Sequence, residues 1–176
     1  LEEIPDNLIL LKDGFKALDQ AAILPVSEKV ELGGEDSGYY YINNHFTYAK
    51  LMKVELSEGQ MLHMDFYGTE SYVDTYIEIF QEENGIFELV EYFNDDNLNG
   101  PGESNNFTAP ATGTYYIAFE GYNEEETGLC SLEVSVRKAP EIIALEEGFK
   151  ALDQTTVFPI NESVELGAEG SPLYVT

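Results

Sequence analysis

Apolar and polar residues alternate along much of this chain with a period of two. In Leu129 to Val136, Cys130, Leu132, Val134 and Val136 fall on one face and Ser131, Glu133 and Ser135 on the other, the pattern of a half-buried strand. Tyr48 to Leu56, Gln60 to Phe66, Val73 to Phe80, Phe87 to Phe93 and Thr114 to Phe119 carry partial versions of it. They are rich in Tyr, Phe, Val and Ile, which pack well on a pleated surface. Between them lie Ser57-Glu58-Gly59, Glu83-Asn84-Gly85, Asn97 to Gly102, Pro110 to Gly113 and Thr127-Gly128, segments whose residues tolerate tight turns. Short strands at this spacing, without crossover helices, predict an all-β fold and an antiparallel β-sandwich. The last strand places Cys130 in the core as an inert thiol.

A second pattern is longer. Gly14-Phe15-Lys16-Ala17-Leu18-Asp19-Gln20 recurs letter for letter as Gly148 to Gln154, an offset of 134 residues, and 17 of the 33 positions from Leu10 to Ile42 are identical at that offset. Pro25 meets Pro159, Val30-Glu31-Leu32-Gly33 meets Val164 to Gly167, and Tyr40 meets Tyr174. Solenoid units run at roughly 20 to 50 residues, so a period this long is a whole domain. The expected organisation is a linker and short connector helix over 1–20, a complete module over 21–138, a connector over 139–154 that repeats 5–20, and the start of a second, incomplete module over 155–176. Short helical connectors are expected in the repeated segments, between modules. The first residue is not Met, and the chain is expected to be a piece of a longer tandem array. Val164 to Leu166 and Leu173 to Val175 would be strands of the second copy. Lacking their own sandwich, they are expected to pack on the first module, to pair with another chain in self-association, or to be poorly ordered.

Composition narrows the function. The 176 residues include 34 acidic and 8 basic side chains, a formal charge of −26. Nucleic acid is excluded as a partner, because phosphate recognition needs Lys and Arg to displace counterions. Anionic membrane surfaces are disfavoured for the same reason. No apolar run reaches the roughly 18 residues of a membrane span, so membrane insertion is not expected. Hydrophobic residues at 43 % and aromatics at 12 % supply a core, which excludes disorder. One Cys allows neither an intramolecular disulfide framework nor a multi-thiolate metal site.

Several segments together resemble the bacterial pre-peptidase C-terminal (PPC) domain family. They are Tyr48-Ala49-Lys50-Leu51, Leu56 to Leu62, Val73-Asp74-Thr75-Tyr76-Ile77-Glu78-Ile79-Phe80, Asn94 to Asn97 and Ala109 to Ile117. The match runs from about Val26 to Val136, and Cys130 stands where the family usually has Tyr. The resemblance implies a jelly-roll-like β-sandwich from a secreted or surface-attached bacterial protein. It implies a module that is mostly non-catalytic and often appended to peptidases. Relatives in clostridial collagenases bind collagen, and some members bind calcium.

Enzyme chemistry finds little footing. His45 and His63 stand in no zinc motif, no Ser lies in Gly-x-Ser-x-Gly, and Gly100-Pro101-Gly102 is too short for a phosphate loop. His63, between Leu62 and Met64, is expected to face solvent or be structurally satisfied. Asp95-Asp96-Asn97-Leu98-Asn99-Gly100 places oxygen side chains at alternate positions before a Gly, the opening half of a calcium loop. The Glu expected at its twelfth position is Asn106. Asp74, at the start of a neighbouring strand in the family pattern, is a candidate for the missing carboxylate. The candidate metal ligands are therefore Asp74, Asp95, Asp96, Asn97 and Asn99, with calcium as the ion. Tyr39, Tyr40, Tyr41, Tyr48, Tyr67, Tyr72 and Tyr122 admit either an exposed platform for peptide or glycan or cross-strand packing. Packing is expected, since consecutive strand residues point to opposite faces. The function these readings favour is a non-catalytic extracellular module that binds a protein or glycan ligand, acts in adhesion, or serves as a spacer. The alternative is an accessory domain of a secreted hydrolase, such as a peptidase, that aids secretion, stability or substrate contact.

Overall fold

The computed structural model describes residues 6–69, 72–94, 102–137, 142–144, 152 and 173–175, in two compact units that divide between Val136 and Arg137. The first unit begins with β1 (Leu8–Leu10), α1 (Leu11–Lys16), β2 (Val26–Leu32), β3 (Gly38–Ile42), β4 (His45–Leu56) and β5 (Met61–Gly68). It continues through β6 (Thr75–Glu83), β7 (Ile86–Asn94), β8 (Gly102–Thr108), β9 (Gly113–Gly121) and β10 (Gly128–Arg137). Six strands form one sheet in the order β1-β3-β4-β9-β6-β7, and four form another in the order β2-β10-β5-β8. The fold is the predicted all-β sandwich.

Alternation builds the core between the sheets. Val54, Ile77, Ile79, Tyr115, Ile117 and Phe119 from the larger sheet meet Val30, Leu62, Met64, Phe66, Cys130 and Leu132 from the smaller, all fully buried. Burial of the Cys130 thiol pushes its pKa up to about 12, so it is the inert core thiol expected of its strand.

The structure departs from the pattern-based reading in two strands. Strand β8 has the polar sequence Gly-Glu-Ser-Asn-Asn-Phe-Thr and begins where a turn is predicted. It is an edge strand held by its register with β5, in which Leu62 faces Phe107 and Tyr67 faces Gly102. An edge strand of this kind has little apolar alternation to show. Strand β1 pairs in parallel with β3, an exception to the antiparallel pairings of β4 with β3 and β9 and of β6 with β7 and β9.

Helix α1, expected as a connector, lies on the outer face of the six-stranded sheet. Phe15 is 1 % exposed, with its ring 5.1–5.4 Å from those of Phe80, Phe87 and Tyr116. With Tyr40, Ile42, Ala49, Leu51 and Ala118 it makes a second apolar cluster. A Cβ on Gly14 would stand 2.7 Å from Leu51 Cδ1 and Tyr40 Cε1. Gly at that position lets the helix reach the sheet.

In the second unit, β11 (Ile142–Ala144) pairs in parallel with β12 (Leu173–Val175). The register sets Ile142 against Leu173, as Leu8 is set against Tyr39 in the first unit. Strand Leu173–Val175, expected of the second copy, is therefore present with a partner in its own unit. Val164 to Leu166 and most of the 139–154 connector lie outside the described residues.

Candidate functional site

Beyond the cluster around Phe15, the same outer sheet face carries polar residues. Register places them. Strand β9 is flanked by β4 and β6, with Ala49 and Tyr76 opposite Glu120 and Ala118 opposite Glu78. Glu78 and Glu120 are thus diagonal neighbours on one face, at the separation long side chains bridge. His45 and Thr47 lie on the same face of β4. The two-residue turn joining β3 to β4 is Asn43-Asn44, with φ of 41° and 71°. Asn tolerates the left-handed conformation such hairpin turns require, and this turn swings Asn43 over the sheet, where its Nδ2 donates to Glu78 Oε1.

The β9–β10 loop closes the other side. Glu126 Oε2 accepts from the Asp74 main-chain N–H at 2.9 Å. The Tyr122 N–H donates to the Asp74 carbonyl at 2.8 Å, and Glu124 accepts from the Tyr39 hydroxyl. That hydrogen bond, with burial, pushes the Tyr39 pKa up to about 12. The loop is thereby fixed so that Tyr122 and Asn123, with Asn43, His45, Tyr76 and Glu78, line a cavity of about 310 Å³. The Tyr76 ring stacks on Tyr92 at 6.0 Å and meets the edges of Tyr122 at 6.4 Å and His45 at 6.5 Å.

The electrostatics are unusual. Glu78 and Glu120 are each 0 % exposed, and Glu78 Oε2 and both Glu120 carboxyl oxygens lack hydrogen-bond partners. No Lys or Arg lines the cavity. Burial raises the Glu78 pKa to about 7, against the pull of the Asn43 hydrogen bond. Burial, then the nearby Glu78 charge, raises Glu120 well above the carboxylate range. His45 is shifted down by burial. Its Nε2 lies 3.7 Å from Glu120 Oε2, beyond hydrogen-bond reach, and both shifts favour an uncharged pair over an ion pair. Burial also pushes the Tyr76 hydroxyl to about 12. The pocket is an aromatic-walled cavity whose one lining acid, Glu78, has no basic side chain beside it.

Of the predicted metal ligands, Asp74 lies just before β6 with its main chain tied as above. Asp95, Asp96, Asn97 and Asn99 lie outside the described residues. Among the described residues, no group of three or more His, Cys, Asp or Glu is arranged to hold a metal ion. His63 is satisfied, as expected: Nδ1 is 2.8 Å from Asn106 Oδ1 and Nε2 is 3.1 Å from Asp65 Oδ2. Tyrosine packing divides by position. Tyr39 and Tyr40 are buried, whereas Tyr41, Tyr67, Tyr72 and Tyr122 are exposed.

The chain is similar to the pre-peptidase C-terminal domain of collagenase from Bacillus anthracis, at 16 % sequence identity and a TM-score of 0.44, over 73 % of this chain and 93 % of that one. No family model and no curated protein matches the sequence.

Sequence reasoning passed over Glu78, Glu120, Asn43 and His45 as a group. A Glu at an outward strand position reads as solvated, and nothing local says otherwise. The available signals were the Asn43-Asn44 pair between two strand patterns, which marks a hairpin turn, and the small Ala118 opposite Glu78.

Proposed function

We propose that this chain is a non-catalytic accessory β-sandwich of PPC type from a secreted or surface-attached bacterial protein, built as a repeating module that binds a protein or glycan ligand or spaces its neighbours. The observation that carries the repeat is the duplicated register. Leu8 with Tyr39 and Ile142 with Leu173 are the same parallel pairing 134 residues apart. The residues that repeat are also those that pack the helix in the first unit: Gly14, Phe15 and Tyr40 return as Gly148, Phe149 and Tyr174. A duplicated domain keeps the side chains its core needs, whereas a linker has no reason to. The PPC assignment rests on the strand motifs from Tyr48 to Ile117. Calcium is proposed at Asp95, Asp96, Asn97 and Asn99 from the loop spacing, with Asp74 added from its place in the PPC strand pattern.

A grafting experiment tests the module. Appending a copy of residues 43–136 after Thr176 supplies the strands that the second copy would need. The expected result is a second cooperative unfolding transition and about twice the β-sheet circular dichroism. An appended segment that stays unfolded overturns the repeat reading. Arrays of glycans and matrix proteins, probed with the intact chain, test binding, and hydrolysis of an arrayed protein or glycan would refute the non-catalytic role.

A further inference from the structure

We propose that the cavity between the Asn43-Asn44 turn and the β9–β10 loop binds a protonated primary amine, of the kind a lysine side chain presents. The proposal goes beyond the module reading and does not depend on the repeat. It starts from a deficit. Glu78 is wholly buried, lines the cavity and leaves Oε2 unpartnered, and Glu120 beside it has neither oxygen paired. Buried carboxyl groups without partners are costly and rarely kept without a use. Water in the cavity leaves the charge of an ionised Glu78 uncompensated, and a cation offsets it.

The walls select which cation. Calcium takes six to eight oxygens, and this rim does not offer them. Asn43 turns its amide nitrogen toward Glu78, and Asn123 Oδ1 already accepts the Glu125 N–H at 2.8 Å. The remaining walls are the His45 imidazole and the Tyr76 and Tyr122 rings, the last two with planes at 75°. An alkylammonium group matches that mixture. Its N–H donors suit Glu78 Oε2, its charge lies beside aromatic rings, which attract cations, and its methylene stem packs on the tyrosines. At about 310 Å³ the cavity is at the small end of ligand pockets. Tyr122, which lines the cavity, and Tyr92, which stacks on Tyr76, are 50 % and 55 % exposed and offer contact area to a chain that carries the lysine. The charge of −26 draws cations toward the surface from a distance.

The test is titration of the intact chain at pH 8 with Nα-acetyl-lysine methylamide, n-butylammonium and neutral n-pentanol, followed by amide and tyrosine ring NMR signals. Both amines are expected to shift signals of Asn43, Tyr76 and Tyr122, with n-pentanol at least tenfold weaker. Glu78→Gln should weaken the amines at least tenfold, Tyr122→Ala several-fold, and the exposed-strand control Glu133→Gln not at all. Tighter binding of the lysine derivative assigns the site to polypeptide lysines, and equal binding assigns it to free amines. The inference is overturned if n-pentanol binds as well as the amines, if Glu78→Gln leaves amine binding unchanged, or if calcium alone shifts these signals in a Glu78-dependent way.

Discussion

Glu78→Gln should make the protein more stable at pH 8 while leaving it unchanged near pH 4. The side chain is fully buried in the folded unit, and its pKa rises from 4.5 to about 7 on folding because burial penalises the charged form. Folding therefore favours the protonated carboxyl. Its contribution is fully present below pH 4.5 and is lost as pH rises through about 7. At about 1.36 kcal/mol for each pH unit, ionised Glu78 costs the folded state roughly 3 kcal/mol above pH 7. Gln keeps the shape, still accepts from Asn43 through its carbonyl oxygen, and presents a donor where a protonated carboxyl would present its O–H. It cannot ionise, so it escapes the cost. Urea denaturation of parent and variant at pH 4, 6 and 8 measures this directly, with Glu133→Gln, exposed on β10, as the control for removing one negative charge. The two proteins should match at pH 4 and diverge through pH 6 to a gap of roughly 3 kcal/mol at pH 8. A gap of that size corresponds to about 6–12 °C in midpoint for a domain of this length. If the difference between Glu78→Gln and parent is the same at every pH, or if the variant is the less stable at pH 8, Glu78 is not a buried, uncompensated acid and the electrostatic description of the pocket fails.

Phe15→Ala should destabilise the first unit by about 3–5 kcal/mol, the usual cost of emptying an aromatic core site, as read by urea denaturation of the intact chain; a loss under about 1 kcal/mol would mean that Phe15 adds little to the packing of the sheet. Gly14→Val should cost roughly 1–3 kcal/mol through overpacking, because its first side-chain carbon already stands 2.7 Å from Leu51 and Tyr40. Cys130, fully buried with its pKa near 12, should react with a thiol reagent only as fast as the protein unfolds, and rapid native-state labelling would place it elsewhere. Calcium at about 100 times its dissociation constant should add roughly 2.7 kcal/mol to stability, measured against chelator at matched ionic strength. Asp74→Ala should remove that gain, and an equal response to magnesium would remove the case for a specific site.

The sandwich was legible in the sequence because a half-buried strand must alternate. Cys130 to Val136 could sort its apolar side chains to one face in only one way, and Cys130 went into the core with them. The 134-residue echo was legible directly, as 17 identities in 33 positions at one offset. What could not be read was where the covered face of a sheet ends. Tyr76, Glu78 and Phe80 alternate on β6 as any outward-facing set would, yet Phe80 lies under Phe15 and Glu78 under the Asn43 turn. Both covers come from elements more than thirty residues away in the chain. Strand β8 was hidden because its pairing with β5, not its own pattern, makes it a strand. A carboxyl group's sequence neighbours fix which way it points, but only the packing of distant segments removes its water, and that loss shifts the pKa values of Glu78 and Glu120 upward and leaves Glu78 Oε2 and both Glu120 oxygens without partners.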